Sequence, residues 1–168
     1  KKSIAYYSQS FGPYKHPVAR IIEFPKFSSF AQAFPGTMPY SESIGFTSNI
    51  VNNPEDINEV FHIVAHEMAH QWWAHQVVGA DMQGSEMLSE SISEYASLKL
   101  LEKEYGLDMA TKFLKESNNN YVFSRAFENK KESSLKEVDG QGYIYYQKGS
   151  LVLYAIQQLL GEDKMNMA

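Results

Sequence analysis

Apolar residues that recur every four positions mark a helix in the middle of the chain. This spacing joins Val60, Val64, Met68 and Trp72. Positions four apart lie on one face of an α-helix, so these side chains form a stripe that faces the core. Residues 53–56 combine an N-cap asparagine, a first-turn proline and two acids, which predicts the helix start. Gly79 is the predicted helix stop.

The same kind of pattern predicts the remaining elements. The predicted helices span residues 2–10, 86–105, 109–118 and 143–160, and the predicted strands span residues 18–24 and 44–51, with a loop at 26–39. The last helix is apolar on nearly every side from residue 151 to 156, so we expect it to be buried. These elements predict a mainly helical α+β fold with a small N-terminal sheet. We expect residues 1–168 to form one domain, with a sheet-containing part at 1–53 and a helical part at 54–168.

Composition narrows the chemistry that this fold can carry. The chain has 168 residues, 43% of them hydrophobic, with a net charge of −5 and no basic patch that would indicate nucleic-acid binding. No apolar run reaches the roughly 18 residues of a membrane span, so we expect no membrane contact within this chain. The chain has no cysteine, which leaves histidines and carboxylates to bind any metal.

The middle helix carries a metal-binding pattern on a second face. His62, His66 and His70 lie four apart, roughly opposite the apolar stripe. His66-Glu67-Met68-Ala69-His70 fits H-E-x-x-H, in which two imidazoles on one face supply half of a tetrahedral zinc site. Glu67 lies about 100° round the helix from His66. It is therefore left beside the metal as a general base rather than as a ligand. For His62 we favour a packed or hydrogen-bonded neighbour over a third ligand.

The next helix offers carboxylates that could complete the zinc site. Glu86, Glu90 and Glu94 lie four apart, which on its own is typical of a solvated face. Nineteen residues separate Glu90 from His70, enough for a turn through two glycines and an antiparallel return. We therefore predict that Glu90 is the third zinc ligand. Glu94 and Glu86 are the next candidates for this position. Glu94, one turn on, could instead orient a ligand histidine through its far nitrogen, the alternative being a surface acid.

Taken together, these residues resemble the zinc aminopeptidases typified by aminopeptidase N and leukotriene hydrolase. The resemblance covers most of the chain and includes the segments His66-Glu67-Met68-Ala69-His70-Gln71-Trp72, similar to H-E-x-x-H-Q-W, and Leu88-Ser89-Glu90-Ser91-Ile92, similar to L-N-E-G-F. It implies a thermolysin-like zinc metallopeptidase catalytic domain. The chain departs from the family pattern by one extra residue between His70 and Glu90, and by serines on both sides of Glu90.

Two further roles rest on the resemblance alone. Tyr146-Gln147-Lys148-Gly149 looks like the family's Y-x-K-G, which implies that the Tyr146 hydroxyl stabilises the oxyanion. Residues 39–46 are in register with G-A-M-E-N-W-G-L, which places Glu42 where the family binds the free amino group of the substrate.

The predicted function is a zinc peptidase acting on peptides with a free N-terminus, in which Glu67 takes a proton from a zinc-activated water. An endopeptidase of the thermolysin type, which would not need Glu42, and a binding module with a vestigial zinc site are the alternatives. Lys1 in place of an initiator methionine, and a helix start that breaks off at Ala168, suggest a piece of a longer protein. A looser similarity to bacterial members joined to membrane segments leaves a membrane-associated parent protein open, and no feature assigns a compartment.

Overall fold

A computed structural model describes residues 1–45 and 56–167 of the chain. The helices are α1 (Lys2–Phe11), α2 (Glu42–Gly45), α3 (Glu59–Ala69), α4 (Ile92–Tyr105), α5 (Leu107–Phe127), α6 (Gly149–Leu160) and α7 (Glu162–Met167). The strands are β1 (Arg20–Phe24) and β2 (Thr37–Ser41), which pair in parallel. Two five-residue π-helical turns, Met87–Ser91 and Ile144–Lys148, lead directly into α4 and α6, and are called the first and second π turn below. A short 3₁₀ helix covers Leu135–Glu137.

Helix α4 lies at the centre of the molecule because it is buried on two sides. One side packs with α1 and α3 through a cluster that includes Tyr7, Met68 and Trp72. The other side packs with α5 and α6 around Phe113 and Leu153. The predicted mainly helical fold with a small N-terminal sheet is therefore confirmed. The division at residue 53 stays a prediction.

The predicted stop of the middle helix was wrong, and the predicted N-cap and first-turn proline at residues 53–54 lie outside the described residues. Helix α3 begins at Glu59 because Asn58 caps it, its side-chain oxygen accepting a hydrogen bond from the Phe61 amide at 2.9 Å. The helix ends at Ala69 rather than near Gly79. Beyond it the Trp72 indole donates to the Gly12 carbonyl at 2.8 Å, and Ala74 has a φ of 141°, a value that no helix continues through. Long-range contacts, which local sequence does not encode, therefore set this boundary.

Several other boundaries differ from their predictions. The second strand lies at Thr37–Ser41 and overlaps the end of the predicted loop. Residues 44–45 of the predicted strand lie in α2, and its residues 46–51 lie outside the described residues. Helix α5 runs to Phe127 rather than to 118, through three asparagines of low helix propensity. The expected burial of the last helix holds for Leu153 and Tyr154 but fails for Ile156, which is 37% exposed. None of the helices in the described part of the chain is long and apolar enough to span a membrane.

Candidate metal centre and active site

Three predicted metal ligands converge in the structure. His66 lies in the last turn of α3, and His70, one turn later, caps the C-terminal end of this helix. Their Nε2 atoms are 3.0 Å apart. The Glu90 Oε2 atom lies 3.3 Å from Nε2 of His66 and 3.4 Å from Nε2 of His70. Among the described residues, this is the one group of three such side chains close enough to share an ion.

Glu90 reaches the histidines from the first π turn. In this turn the Ile92 amide bonds to the Met87 carbonyl, five residues back, instead of the fourth. A π turn therefore fits one more residue into the helix than an α turn does, and such turns are frequent at functional sites. The predicted helix at 86–105 is thus confirmed as a continuous element, with a widened turn where it carries Glu90.

The far nitrogen of each histidine is also engaged. The His66 Nδ1 atom lies 2.7 Å from Oε2 of Glu94, and the His70 Nδ1 atom lies 3.0 Å from the Trp73 carbonyl and 3.1 Å from the Ser93 hydroxyl. A carbonyl and a carboxylate accept hydrogen bonds, so Nδ1 is the donor in each ring. When each ring is neutral with its proton on Nδ1, Nε2 is the atom that presents a lone pair to a cation.

A histidine outside the predicted site extends this network. The Glu94 carboxylate contacts His62 through its other oxygen, Oε1, which lies 3.3 Å from His62 Nε2. The His62 Nδ1 atom in turn lies 3.4 Å from the Ser97 hydroxyl. Glu94 thus bridges two histidines of α3, and its side chain is only 13% exposed. The matched four-residue spacings of His62 with His66 and of Glu90 with Glu94 were the sequence signal for this bridge.

The electrostatics of the cluster favour a cation. Burial opposes a charge on His66, but hydrogen bonds to Glu90 and Glu94 outweigh it and raise the pKa of His66 to about 10. Burial alone would raise the pKa of both carboxylates, yet the neighbouring histidines hold the pKa of Glu90 and that of Glu94 well below the usual range. Both acids are therefore ionised at neutral pH. The negative charge that favours a proton on His66 also favours a divalent cation in the same place.

Glu67 and Tyr146 lie beside the three ligands. Glu67 is buried, and burial raises the pKa of its carboxyl, although the two histidines and a hydrogen bond from the Ala33 amide oppose this. The Tyr146 ring packs against the His66 ring with centroids 5.9 Å apart. Burial and the adjacent Glu90 carboxylate raise the pKa of Tyr146, so its hydroxyl stays protonated and can donate a hydrogen bond.

Glu42 is positioned by the sheet rather than by the helices. It is the first residue of α2, directly after β2, and is half-buried. Tyr40, two residues earlier, is buried close to Glu67, and burial together with that carboxylate raises the pKa of Tyr40 to about 12.

The residues present fit a zinc ion. Ligand atoms held about 2.0–2.1 Å from a tetrahedral zinc lie about 3.3 Å from one another. The three distances among the Nε2 and Oε2 atoms, 3.0, 3.3 and 3.4 Å, are close to that value. Two neutral imidazoles and one carboxylate are a donor set typical of catalytic zinc, and the chain offers no thiolate that would favour a structural site.

Comparison with known proteins places this fold in a family. A model of the peptidase family M1 domain matches residues 1–168. The chain is 27% identical over 173 residues to the Tricorn protease-interacting factor F2 of Thermoplasma volcanium. The aligned region covers 97% of this chain and 22% of that relative.

Two solved structures share the fold. One is an M1 zinc metallopeptidase E323A mutant from Deinococcus radiodurans bound to a Tyr-Ser-Ala substrate, with a TM-score of 0.67, 22% identity, and coverage of 99% of this chain and 34% of that one. The other is the native leukotriene A4 hydrolase of Saccharomyces cerevisiae, with a TM-score of 0.76, 14% identity, and coverage of 99% and 27%. The chain thus spans between about a fifth and a third of the length of these proteins. Because the family match extends over the whole of residues 1–168, the family resemblance seen in the sequence is confirmed, and the chain belongs to peptidase family M1.

Proposed function

We propose that this chain forms the catalytic core of a zinc-dependent aminopeptidase that hydrolyses the first peptide bond of peptides with a free N-terminus. The observation that carries the proposal is the convergence of His66, His70 and Glu90 beside Glu67 and Tyr146. Three protein ligands leave the fourth position of a tetrahedral zinc ion open, as in catalytic sites. A buried carboxylate and a protonated phenol at the same place are the groups that amide hydrolysis requires.

His66, His70 and Glu90 would hold the zinc ion, with Glu94 and the Trp73 carbonyl fixing the two imidazole rings. A bound zinc ion would polarise the scissile carbonyl and lower the pKa of a water molecule in the site. The pKa of Glu67 is raised towards neutral pH. A group whose pKa lies near the working pH can both accept a proton and release it.

Glu67 and Tyr146 divide the remaining chemistry. The Glu67 carboxylate accepts the proton of the attacking water and passes it to the leaving amine. The Tyr146 hydroxyl donates a hydrogen bond to the carbonyl oxygen as negative charge develops on it. One such donor is typically worth about 2.7–4 kcal/mol.

The catalytic proposal is tested by Glu67→Gln in the full-length protein. The amide keeps the shape of the side chain but cannot take the proton, so turnover should fall by about 10²–10⁴-fold while zinc content stays at one ion per chain. Zinc content is measured by elemental analysis on the same samples that are assayed. Equal turnover by wild type and Glu67→Gln would remove Glu67 from the mechanism.

Glu42 is proposed to bind the free amino group of the substrate. A carboxylate holds an ammonium group through charge-assisted hydrogen bonds, which would position the first peptide bond over the ligands. Glu42 follows β2 directly, and Tyr40 on that strand lies near Glu67, which supports a place at the cleft. The Tyr-Ser-Ala substrate of the Deinococcus radiodurans relative supports a short peptide as the ligand class.

The specificity proposal is tested with one peptide in free-amine and N-acetylated forms. We expect only the free-amine form to be cleaved, and Glu42→Ala to cost about 2–5 kcal/mol in kcat/KM, the scale for losing one partner of a buried charge pair. Glu23→Ala is the matched control, because Glu23 pairs with Tyr40 on the neighbouring strand and is exposed. Cleavage of the acetylated peptide at internal bonds would instead indicate an endopeptidase. A membrane-linked parent protein stays a separate prediction, which the full-length gene sequence tests.

A further inference from the structure

The two π turns each carry one residue of the proposed site and pack against each other. The first π turn carries Glu90, and the second carries Tyr146. In the second turn the Gly149 amide bonds to the carbonyls of Ile144 and Tyr146. A regular α-helix would bond it to the Tyr145 carbonyl, four residues back. The π turn therefore deprives the Tyr145 carbonyl of its α-helical partner.

The Ser91 hydroxyl replaces that partner. It donates to the Tyr145 carbonyl at 2.6 Å, across 54 positions of sequence. Ser91 is fully buried, at 0% exposed, and Tyr145 is half-buried. A carbonyl that is partly removed from water and left without a donor is destabilising, so the hydroxyl supplied by the first π turn stabilises the second.

Gly149 makes room for this contact. A Cβ atom at position 149 would lie 2.4 Å from the Ser91 Oγ and 2.6 Å from the Ser91 Cβ, well inside van der Waals contact. The φ of Gly149 is −57°, which any residue adopts, so the backbone conformation does not call for glycine here. Glycine is needed at this position because Ser91 occupies the space.

We propose that Ser91 is a positioning residue, whose hydroxyl fixes Tyr146 relative to the ligand Glu90. Ser91 is the next residue after Glu90, and Tyr145 is the residue before Tyr146, so a single hydrogen bond joins the immediate neighbours of both groups. The Tyr146 hydroxyl itself hydrogen-bonds the Glu90 carboxylate. The Ser91 bond and the close approach of Gly149 fix the backbones that carry these two side chains. The effect on catalysis rests on the proposed role of Tyr146, whereas the link between the turns does not.

The kinetic test uses Ser91→Ala in the full-length protein. We expect kcat to fall by about 10- to 100-fold, the scale for a small misplacement of a catalytic group, with KM and zinc content nearly unchanged. Ser150→Ala is the matched control. Ser150 is also 0% exposed and donates to the Gln147 carbonyl of the second π turn at 2.9 Å, but its bond does not join the two π turns. We expect its kcat to stay within about twofold of wild type.

A double-mutant cycle separates positioning from a general loss of stability. If Ser91 acts through Tyr146, Ser91→Ala should lower kcat little further in a Tyr146→Phe background. Full additivity of the two losses would overturn the proposal. The pair Ser91→Gly with Gly149→Ala gives a second check. The double variant should regain the melting temperature that Gly149→Ala alone loses, yet keep the low kcat because the hydroxyl is still missing.

Amide hydrogen exchange tests the link without any assay of activity. Ser91→Ala should speed exchange of the Gly149 amide by about tenfold or more, and Ser150→Ala should leave it unchanged. An inactive wild type with this exchange pattern would reject the peptidase and keep the link between the turns. Unchanged exchange of the Gly149 amide in Ser91→Ala would overturn the positioning role of Ser91, whatever the activity.

Discussion

Replacing Glu94 should weaken zinc binding although Glu94 is not among the three ligands. Its carboxylate accepts a hydrogen bond from His66 Nδ1 at 2.7 Å and contacts His62 Nε2 at 3.3 Å. The first contact holds the His66 ring with its Nε2 atom toward Glu90, and raises the basicity of that nitrogen. Loss of such a partner typically costs 10- to 100-fold in metal affinity, or about 1.4–2.8 kcal/mol.

The contacts of Glu94 predict how much zinc affinity each variant should lose within this range. Glu94→Ala removes both contacts, and the Glu94 side chain is only 13% exposed. We therefore expect this variant to lose nearly 100-fold in zinc affinity. Glu94→Gln keeps an amide oxygen that can accept from His66 but loses the charge, which predicts a loss near tenfold. His62→Ala leaves the bond between Glu94 and His66 in place, and should weaken zinc binding by less than either change.

The assay is a zinc titration in competition with a chromophoric chelator at one fixed pH. Glu86→Ala is the matched control, since Glu86 lies on the same four-residue repeat but outside the cluster of ligands. Circular dichroism checks that each variant is folded. In the Glu94→Ala background, His62→Ala should have no further effect, because His62 acts only through Glu94. An affinity within about twofold of wild type for Glu94→Ala would refute the reasoning.

The remaining predictions concern the ligand set, the phenol and the metal itself. Glu90→Ala should lose most bound zinc by elemental analysis while Glu86→Ala keeps it; equal stoichiometry would place the third ligand elsewhere. Tyr146→Phe should retain zinc and lower kcat more than it raises KM in steady-state assays, and a change in KM alone would withdraw its oxyanion role. Zinc at about 1,000 times its Kd should stabilise the metal-free chain by about 4 kcal/mol and raise Tm by roughly 10 °C in calorimetry, an effect that a chelator reverses. No shift in Tm would mean that these residues do not form a zinc site.

The sequence was informative where one helix face carries the chemistry. His66, His70 and Glu90 were predicted from spacing, since a regular helix fixes which side chains share a face. The family resemblance added Tyr146, which spacing alone would have assigned to the core.

Sequence could not predict features that depend on distant contacts. The end of α3 follows from the bond between Trp72 and the Gly12 carbonyl, which joins residues 60 positions apart. The bridging position of Glu94 required the packing of α3 against α4. The widened turn that carries Tyr146 has no local signature, since Ser91, which donates to the Tyr145 carbonyl in this turn, comes from another part of the chain.

The π turns also bear on how such a site can change through mutation. A π turn differs from an α turn by one residue, so a single inserted or deleted codon can create or erase it without unravelling the helix. In a regular helix each residue gained or lost would rotate everything on one side of it by about 100° relative to the other, whereas a π turn takes up the extra residue locally. Glu90 and Tyr146 both lie within such turns, so a one-codon deletion in either turn would turn one of these side chains away from the histidines while the core remained packed. In-frame deletions here should therefore yield folded, inactive proteins more readily than deletions elsewhere in the same helices.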